Sequence, residues 1–205
     1  MAPPAPASGP PPARLAVMLS GSGRTLLNLL GAIRAGGLMA TVELVISSRE
    51  GLGAERARAA GLRVVVIPGV IPRERLGAEL GAHRIDWVVL AGYLKLVEIP
   101  REYEGRIVNI HPALLPRHGG PGMHGERVHR AVLAAGDTVS GCTVHLCDEV
   151  YDRGRVLLQK TCPVLPGDTP ETLAARVFAL ECGAYPEALG ALIAAGQSRA
   201  GHAGV

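Results

Sequence analysis

The chain has 205 residues, 48% of them apolar and 19% charged, with a formal net charge of +3. That length and apolar share suit one sizeable α/β domain, or at most two small ones, with a real core. The charge is too mild, and its basic residues too dispersed, to point to nucleic acid as a partner. Only Lys95 and Lys160 are lysines among 21 basic residues, which with abundant Ala, Gly and Pro reads as compositional bias rather than function. No uncharged apolar run approaches the roughly 18–20 residues that span a bilayer, so no membrane partner is expected.

The opening "MAPPAPASGPPPA" has no basic start and no apolar centre, unlike a secretory signal. Its Pro/Ala composition predicts a disordered or extended tail over residues 1–13, ahead of a single domain over 14–205. "RLAVMLS" (14–20) reads as a strand. "TLLNLLGAIRAGG" reads as an amphipathic helix ended by Gly36 and Gly37. A strand over 40–48, a short helix stopped by Gly61, a strand over 62–68, a helix in "PRERLGAELGAHR" and a buried strand over 85–92 follow. "GRIVNIH" (105–111) is the fifth strand. This alternation, with continuous β-branched runs, predicts a three-layer fold around a mostly parallel twisted sheet.

Beyond residue 120 the rhythm changes. "GERVHRAVLAAGD" is a helix, and "SGCTVHLCD" and "GRVLLQKTCPV" are two strands predicted to extend the sheet antiparallel. A long helix closes the chain. Asp168 or Thr169 can cap it, Pro170 suits its first turn and Glu171 lies three after Asp168. Leu173, Val177 and Leu180 form its apolar stripe, and Pro186 is expected to kink it.

In "LSGSGRTL" a strand ends, a Ser/Gly turn follows and a helix begins near Thr25. Such a turn aims several backbone N–H groups at one spot beside the positive end of a helix dipole, which suits a phosphate. No G-K-[ST] follows, so this is not a Walker A loop, and Leu26 stands where a dinucleotide fingerprint needs its third glycine. The alternative is an ordinary strand–helix turn that needs glycine for geometry.

"NIHPALLP" (109–116) closes the fifth strand. Ligands of open parallel sheets bind at the carboxyl ends of strands, and residues two apart on a strand face one side. Asn109 and His111 therefore point into one space. Pro112 holds His111 extended and ends the strand there. The alternative is a core Asn and a turn His. In "CDEVYDRG" (147–154), Asp148, Glu149 and Asp152 cluster between two strands. They read as solvated loop acids, as a Mg²⁺ site without matching ligands elsewhere, or as the source of a carboxylate partner for His111. A partner of that kind would favour the charged ring, raising its pKa from about 6.5.

Taken together, "SGSGRTL", "AGYLKLV", "NIHPALLP", "PGMHG", "SGCTVHLCDEVYDRG" and "RVFALECGAYP" resemble the phosphoribosylglycinamide formyltransferase family of folate-dependent enzymes, over about residues 14–195. The resemblance implies a Rossmann-like formyltransferase fold and a catalytic trio of Asn109, His111 and Asp152. It implies that Gly21, Ser22, Gly23, Arg24 and Thr25 hold the phosphate of glycinamide ribonucleotide, with Glu181 near the amine. Tyr93, Leu94, Lys95, Leu96 and Val97, together with Asp148, Glu149, Val150, Tyr151 and Asp152, are placed around the folate, joined by Asn109 and by Arg73 as a folate-glutamate contact. The co-substrate implied is 10-formyltetrahydrofolate, with no metal. The nearest rivals, formyltetrahydrofolate hydrolases and methionyl-tRNA formyltransferases, carry an extra domain not expected in these 205 residues. A ribonucleotide-binding module without activity is the alternative of another class.

These residue types suit the implied chemistry. Attack of a primary amine on a formyl carbon creates a tetrahedral oxyanion. Asn109 can donate to it, a role worth about 3 kcal/mol. His111, expected to be partly protonated through Asp152, can assist and carry the proton from amine to departing folate nitrogen. Lys95 stands where the family more often has arginine, which keeps charge but loses the planar fork. The segment "RHGGPGMHGERVHR" is longer than the family's short form of that loop, and Arg155 replaces a frequent proline.

His118, His124 and His129 lack the tight helical spacing of a metal trio. His124 is placed to line the cleft, and His145 is read as a structural hydrogen-bonder within its strand. Cys142 and Cys147 read as small core residues. With Cys162 and Cys182 they show no C-x-x-C spacing, so a cytoplasmic chain without disulfides is the expectation. Nothing in the sequence separates a monomer from a homodimer.

Overall fold

The computed structural model of the chain describes residues 10–202. Seven strands form one sheet in the order β3-β2-β1-β4-β5-β6-β7. They are β1 (Ala13–Leu19), β2 (Ala40–Ser47), β3 (Val64–Val66), β4 (Trp87–Leu90), β5 (Ile107–His111), β6 (Val139–Leu146) and β7 (Val156–Pro163). The first five pair in parallel, and β6 and β7 add antiparallel pairings. This is the predicted fold class.

The three layers follow from side-chain alternation. Leu15, Val17 and Leu19 of β1 face one apolar cluster, while Ala16 and Met18 face another. The first cluster is covered by α1 (Arg24–Arg34), α2 (Leu52–Ala59), α4 (Glu126–Ala134) and α5 (Pro170–His202); the second is covered by α3 (Arg73–Ala82). By length and mean hydropathy α5 resembles a membrane span. Here its apolar stripe, including Leu173, Val177, Tyr185 and Leu189, is buried in the first cluster.

Several boundaries differ from expectation. Ala13, assigned to the tail, is buried and opens β1, because its N–H donates to the Met39 carbonyl. The expectation of disorder over residues 1–9 lies outside the described residues. β3 and β4 are shorter than the apolar runs that contain them, because pairing stops before the apolar residues do: Ile67 and Ile85 are buried beyond the strand ends.

The long helix runs through Pro186 as one element. Proline has no N–H to give the carbonyl four residues back. That carbonyl, of Cys182, accepts the Asn28 side-chain amide of α1 at 2.9 Å. The neighbouring Tyr185 is wholly buried, and its hydroxyl lies 2.9 Å from the carbonyls of Leu90, the last residue of β4, and Val108 within β5.

Candidate active site

The sheet order reverses between β1 and β4, and the carboxyl ends of β1, β4 and β5 open there on a cavity of about 700 Å³. The Ser/Gly turn after β1 lines it, as do Ala91–Leu94 after β4, Asn109–Pro112 of β5, the loop residues Gly120–Gly125, Tyr151 and Asp152, and one face of α5.

Asn109, His111 and Asp152 meet at this cavity. β5 delivers the first two. The turn after His111 is pinned from β6 and β7: Thr143 donates its hydroxyl to the Ala113 carbonyl at 2.6 Å, and accepts from the Leu115 N–H at 3.0 Å and from Gln159 at 2.9 Å. Asp152 reaches in from the β6–β7 connection with φ 57°, a left-handed conformation that Asp tolerates better than most residues. Its Oδ2 lies 3.5 Å from His111 Nδ1 and accepts the Gly120 N–H at 2.9 Å, so the same carboxylate anchors the 117–126 loop. The imidazole of His111 donates Nε2–H to the His118 carbonyl at 2.8 Å, leaving Nδ1 facing Asp152.

The charge state of His111 corrects the sequence expectation. The residue is 3% exposed, and burial lowers its pKa below the ordinary imidazole value, outweighing the opposing pull of Asp152. Asp152 is itself held below the usual carboxylate range; burial would raise it, but its contacts with His145, His111 and the Gly120 N–H prevail. Burial thus favours the neutral ring, and the contacts of Asp152 favour its carboxylate.

His145 has a larger part than the sequence suggested. It is the cross-strand partner of Asn109. Its Nε2 accepts the Asn109 amide at 3.2 Å, while its Nδ1–H donates to the Leu146 carbonyl at 2.9 Å. The same Nε2 lies 3.5 Å from Asp152 Oδ1.

The Ser/Gly turn lines the cavity from Gly21 to Thr25, and Gly23, with φ 75°, precedes α1 without any side-chain cap. The leading N–H groups of that helix are thus left for an incoming anion. Two arginines unnoticed in the sequence brace the turn: Arg49 donates to the Ser20 carbonyl at 2.8 Å and Arg56 to the Ser22 carbonyl at 2.7 Å. Both bonds engage carbonyls of the turn and leave its N–H groups unclaimed by these side chains. Gly53 of α2 packs against the same turn so closely that a Cβ there would stand 2.4 Å from the Gly21 carbonyl oxygen.

Glu181 lines the cavity with Ala174 and Phe178, its neighbours at helical spacing on α5. Burial pushes its carboxyl up to about 7 against the lowering influence of Arg24. The Arg24 guanidinium stacks on the Phe178 ring, 4.3 Å from its centre.

The stretches assigned to folate divide. Tyr93, Leu94, Tyr151 and Asp152 line the cavity, and the Tyr93 hydroxyl is buried without a hydrogen-bond partner among the described residues. Lys95, Leu96 and Val97 stand outside the lining, and Val97 is buried in the second core cluster. Asp148, Glu149 and Val150 also lie outside it, on an exposed turn where Asp148 accepts the Val150 N–H. Arg73 pairs with Glu149 at 2.8 Å, which ties α3 to that turn.

His124 lines the cavity as expected. His129 does too; it is 4% exposed, its Nδ1 has no partner among the described residues, and burial lowers its pKa. His118 bonds Asp137 at 2.7 Å. No group of three or more His, Cys, Asp or Glu among the described residues is placed to hold a metal ion. The four cysteines are free, and burial raises the thiol pKa of Cys142 to about 12 and shifts that of Cys147 higher still, as unreactive core positions require.

The formyl transferase family profile matches residues 13–189. The chain is 44% identical over 200 residues to the trifunctional purine biosynthetic protein adenosine-3 of Drosophila pseudoobscura pseudoobscura, covering 92% of this chain and 14% of that protein. It is 42% identical over 189 residues to the chloroplastic phosphoribosylglycinamide formyltransferase of Vigna unguiculata, covering 87% of this chain and 60% of that one. The chain thus spans less than two thirds of either sequence relative. The crystal structure of glycinamide ribonucleotide transformylase 1 from Symbiobacterium toebii matches with a TM-score of 0.79 at 39% identity, over 87% of this chain and 86% of that one.

Proposed function

Because the chain belongs to the formyl transferase family, we propose that it moves the formyl group of 10-formyltetrahydrofolate to the amine of glycinamide ribonucleotide, a step of purine biosynthesis. One observation carries this reading: an uncapped anion turn, a half-buried carboxylate and the Asn109–His111–Asp152 group line a single cavity. A ribonucleotide phosphate on the turn 21–25 leaves its amine toward Glu181, whose carboxylate accepts an amine hydrogen and orients the lone pair. Tyr93, Leu94 and Tyr151 offer the surface for the folate.

A C–N bond forms between amine and formyl carbon, and the formyl oxygen gains charge. Asn109 donates to that oxygen, its amide held in place by His145. Neutral His111 takes the ammonium proton at Nδ1, where Asp152 at 3.5 Å stabilises the resulting cation. The bond to the folate nitrogen then breaks, and the same proton passes to it. Holding both reactants in one cavity supplies much of the remaining acceleration.

Absorbance of the released tetrahydrofolate tests this reading. Turnover that requires glycinamide ribonucleotide supports it. Turnover with water alone marks a hydrolase, and no turnover with either acceptor leaves a ribonucleotide-binding module; each of these rejects transfer.

A further inference from the structure

The acceptor that orients His111 is a single backbone carbonyl, that of His118, and its position has to be fixed by something. The residue has φ 54°, a left-handed conformation uncommon for residues other than glycine, though His adopts it more readily than most. Its imidazole Nε2 bonds Asp137 Oδ2 at 2.7 Å, and the preceding Arg117 donates to Asp137 Oδ1 at 2.6 Å. Both side chains of the pair are largely buried, at 14% and 13% exposure. Asp137 is fixed in its turn by the end of α4, where its N–H donates to the Val132 carbonyl.

We propose that Asp137 is a positioning residue for the catalytic imidazole: by gripping Arg117 and His118 it sets the His118 carbonyl where it receives His111 Nε2–H, and thereby keeps Nδ1 as the proton-accepting nitrogen facing Asp152. The proposal rests on the formyl-transfer reading for its catalytic consequence, but not for its structural one. Without the grip, the left-handed turn relaxes, the carbonyl withdraws and the ring distributes its proton between both nitrogens. The neighbouring Ser140 and Thr138 do not substitute for the grip, since neither bonds the Arg117–His118 turn.

The experiment is ring ¹⁵N NMR of the substrate-free protein, comparing wild type, Asp137→Asn and Asp137→Ala, alongside steady-state kinetics. Wild type is expected to show the Nε2–H tautomer at His111. Asp137→Ala is expected to mix the tautomers and to lower kcat roughly tenfold, the order set by one oriented hydrogen bond, with both KM values within about twofold. Asp137→Asn keeps an acceptor for His118 and should fall between the two. Should Asp137→Ala not fold, His118→Gly removes the gripped side chain while keeping the carbonyl and the left-handed backbone, and the same mixing is expected of it. A pure Nε2–H signal and wild-type kcat in a folded Asp137→Ala or His118→Gly variant overturns the proposal. The ring spectrum is read without substrate, so altered tautomers in a protein that does not transfer formyl would reject the function and leave the positioning intact.

Discussion

Asn109 and His145 stand opposite each other on β5 and β6, and the ring of one holds the amide of the other at 3.2 Å. One amide hydrogen is committed to that bond, and Asn109 lines the cavity; the proposed mechanism uses the second as the donor to the formyl oxygen. His145→Ala should therefore lower kcat by about 10–100-fold, the loss of roughly 1.5–3 kcal/mol of oriented donation, while KM changes little. His145→Gln, which restores an acceptor, should recover part of the loss. Equal kcat in wild type and His145→Ala would remove this role.

In the proposed mechanism the imidazole of His111 and the carboxylate of Asp152 carry the proton. His111→Ala and Asp152→Asn are each expected to cut kcat by about 10²–10⁴, with melting temperatures close to wild type. Asn tolerates the left-handed backbone at position 152, so the second substitution isolates the charge. Kinetics within a few-fold of wild type for either variant would displace the pair from the mechanism.

Burial has a definite consequence for pH. Because it depresses His111, the base form persists to lower pH than for a free imidazole, and the acid limb of kcat should have its midpoint below about 6.5. Asp152 opposes that depression, so Asp152→Asn should move the residual limb lower still. His111 and His129 both have folded-state values below their unfolded ones. Their contribution to stability is present above the unfolded value and is lost as pH falls through the depressed ones. Urea denaturation between pH 4 and 8 checks the sign.

Glu181 titrates with the opposite sign. Its folded value, about 7, lies above the ordinary 4.5, so its contribution is complete below the unfolded value and lost as pH rises through 7. Relative to wild type, Glu181→Gln should gain stability from pH 5 to pH 8.5, and raise KM for the ribonucleotide. A stability difference that is flat across that range would show that the carboxyl is not buried as described.

The Ser/Gly turn, proposed to seat the phosphate, is braced by Arg49 and Arg56, which stand outside the cavity lining. Arg56→Ala should raise the ribonucleotide KM by about 5–20-fold, equivalent to roughly 1–2 kcal/mol of lost preorganisation, and leave KM for the folate unaltered. Gly53→Ala should do this and destabilise the fold by about 1–3 kcal/mol, since its methyl group meets backbone and the Leu19 side chain at 2.8 Å. Isothermal titration with inorganic phosphate and a thermal melt separate the two effects.

The sheet was legible because β-branched runs alternating with helical periods leave few topologies. The meeting of Asn109 with His111 was legible from the period of two on β5. The charge of His111 was not, since the sequence names the carboxylate partner but not the burial that overrides it. His145 was legible as a hydrogen-bonder in its strand, but not its partner Asn109, which lies across an antiparallel ladder whose register depends on the β5–β6 pairing. Arg49, Arg56 and Gly53 act through backbone atoms of the turn, which leave no pattern in residue types. Phe178 could have been found, standing three before Glu181 on one helix face.

Pro186 ties two halves of the cavity together. The carbonyl it strands on α5 is bonded by Asn28, which belongs to the helix that follows the Ser/Gly turn. Glu181 is the residue just before that carbonyl. A defect in one helix thus becomes a clasp between the element that would seat the nucleotide's phosphate and the one that would meet its amine, so the distance between the two ends of that substrate is fixed before it arrives.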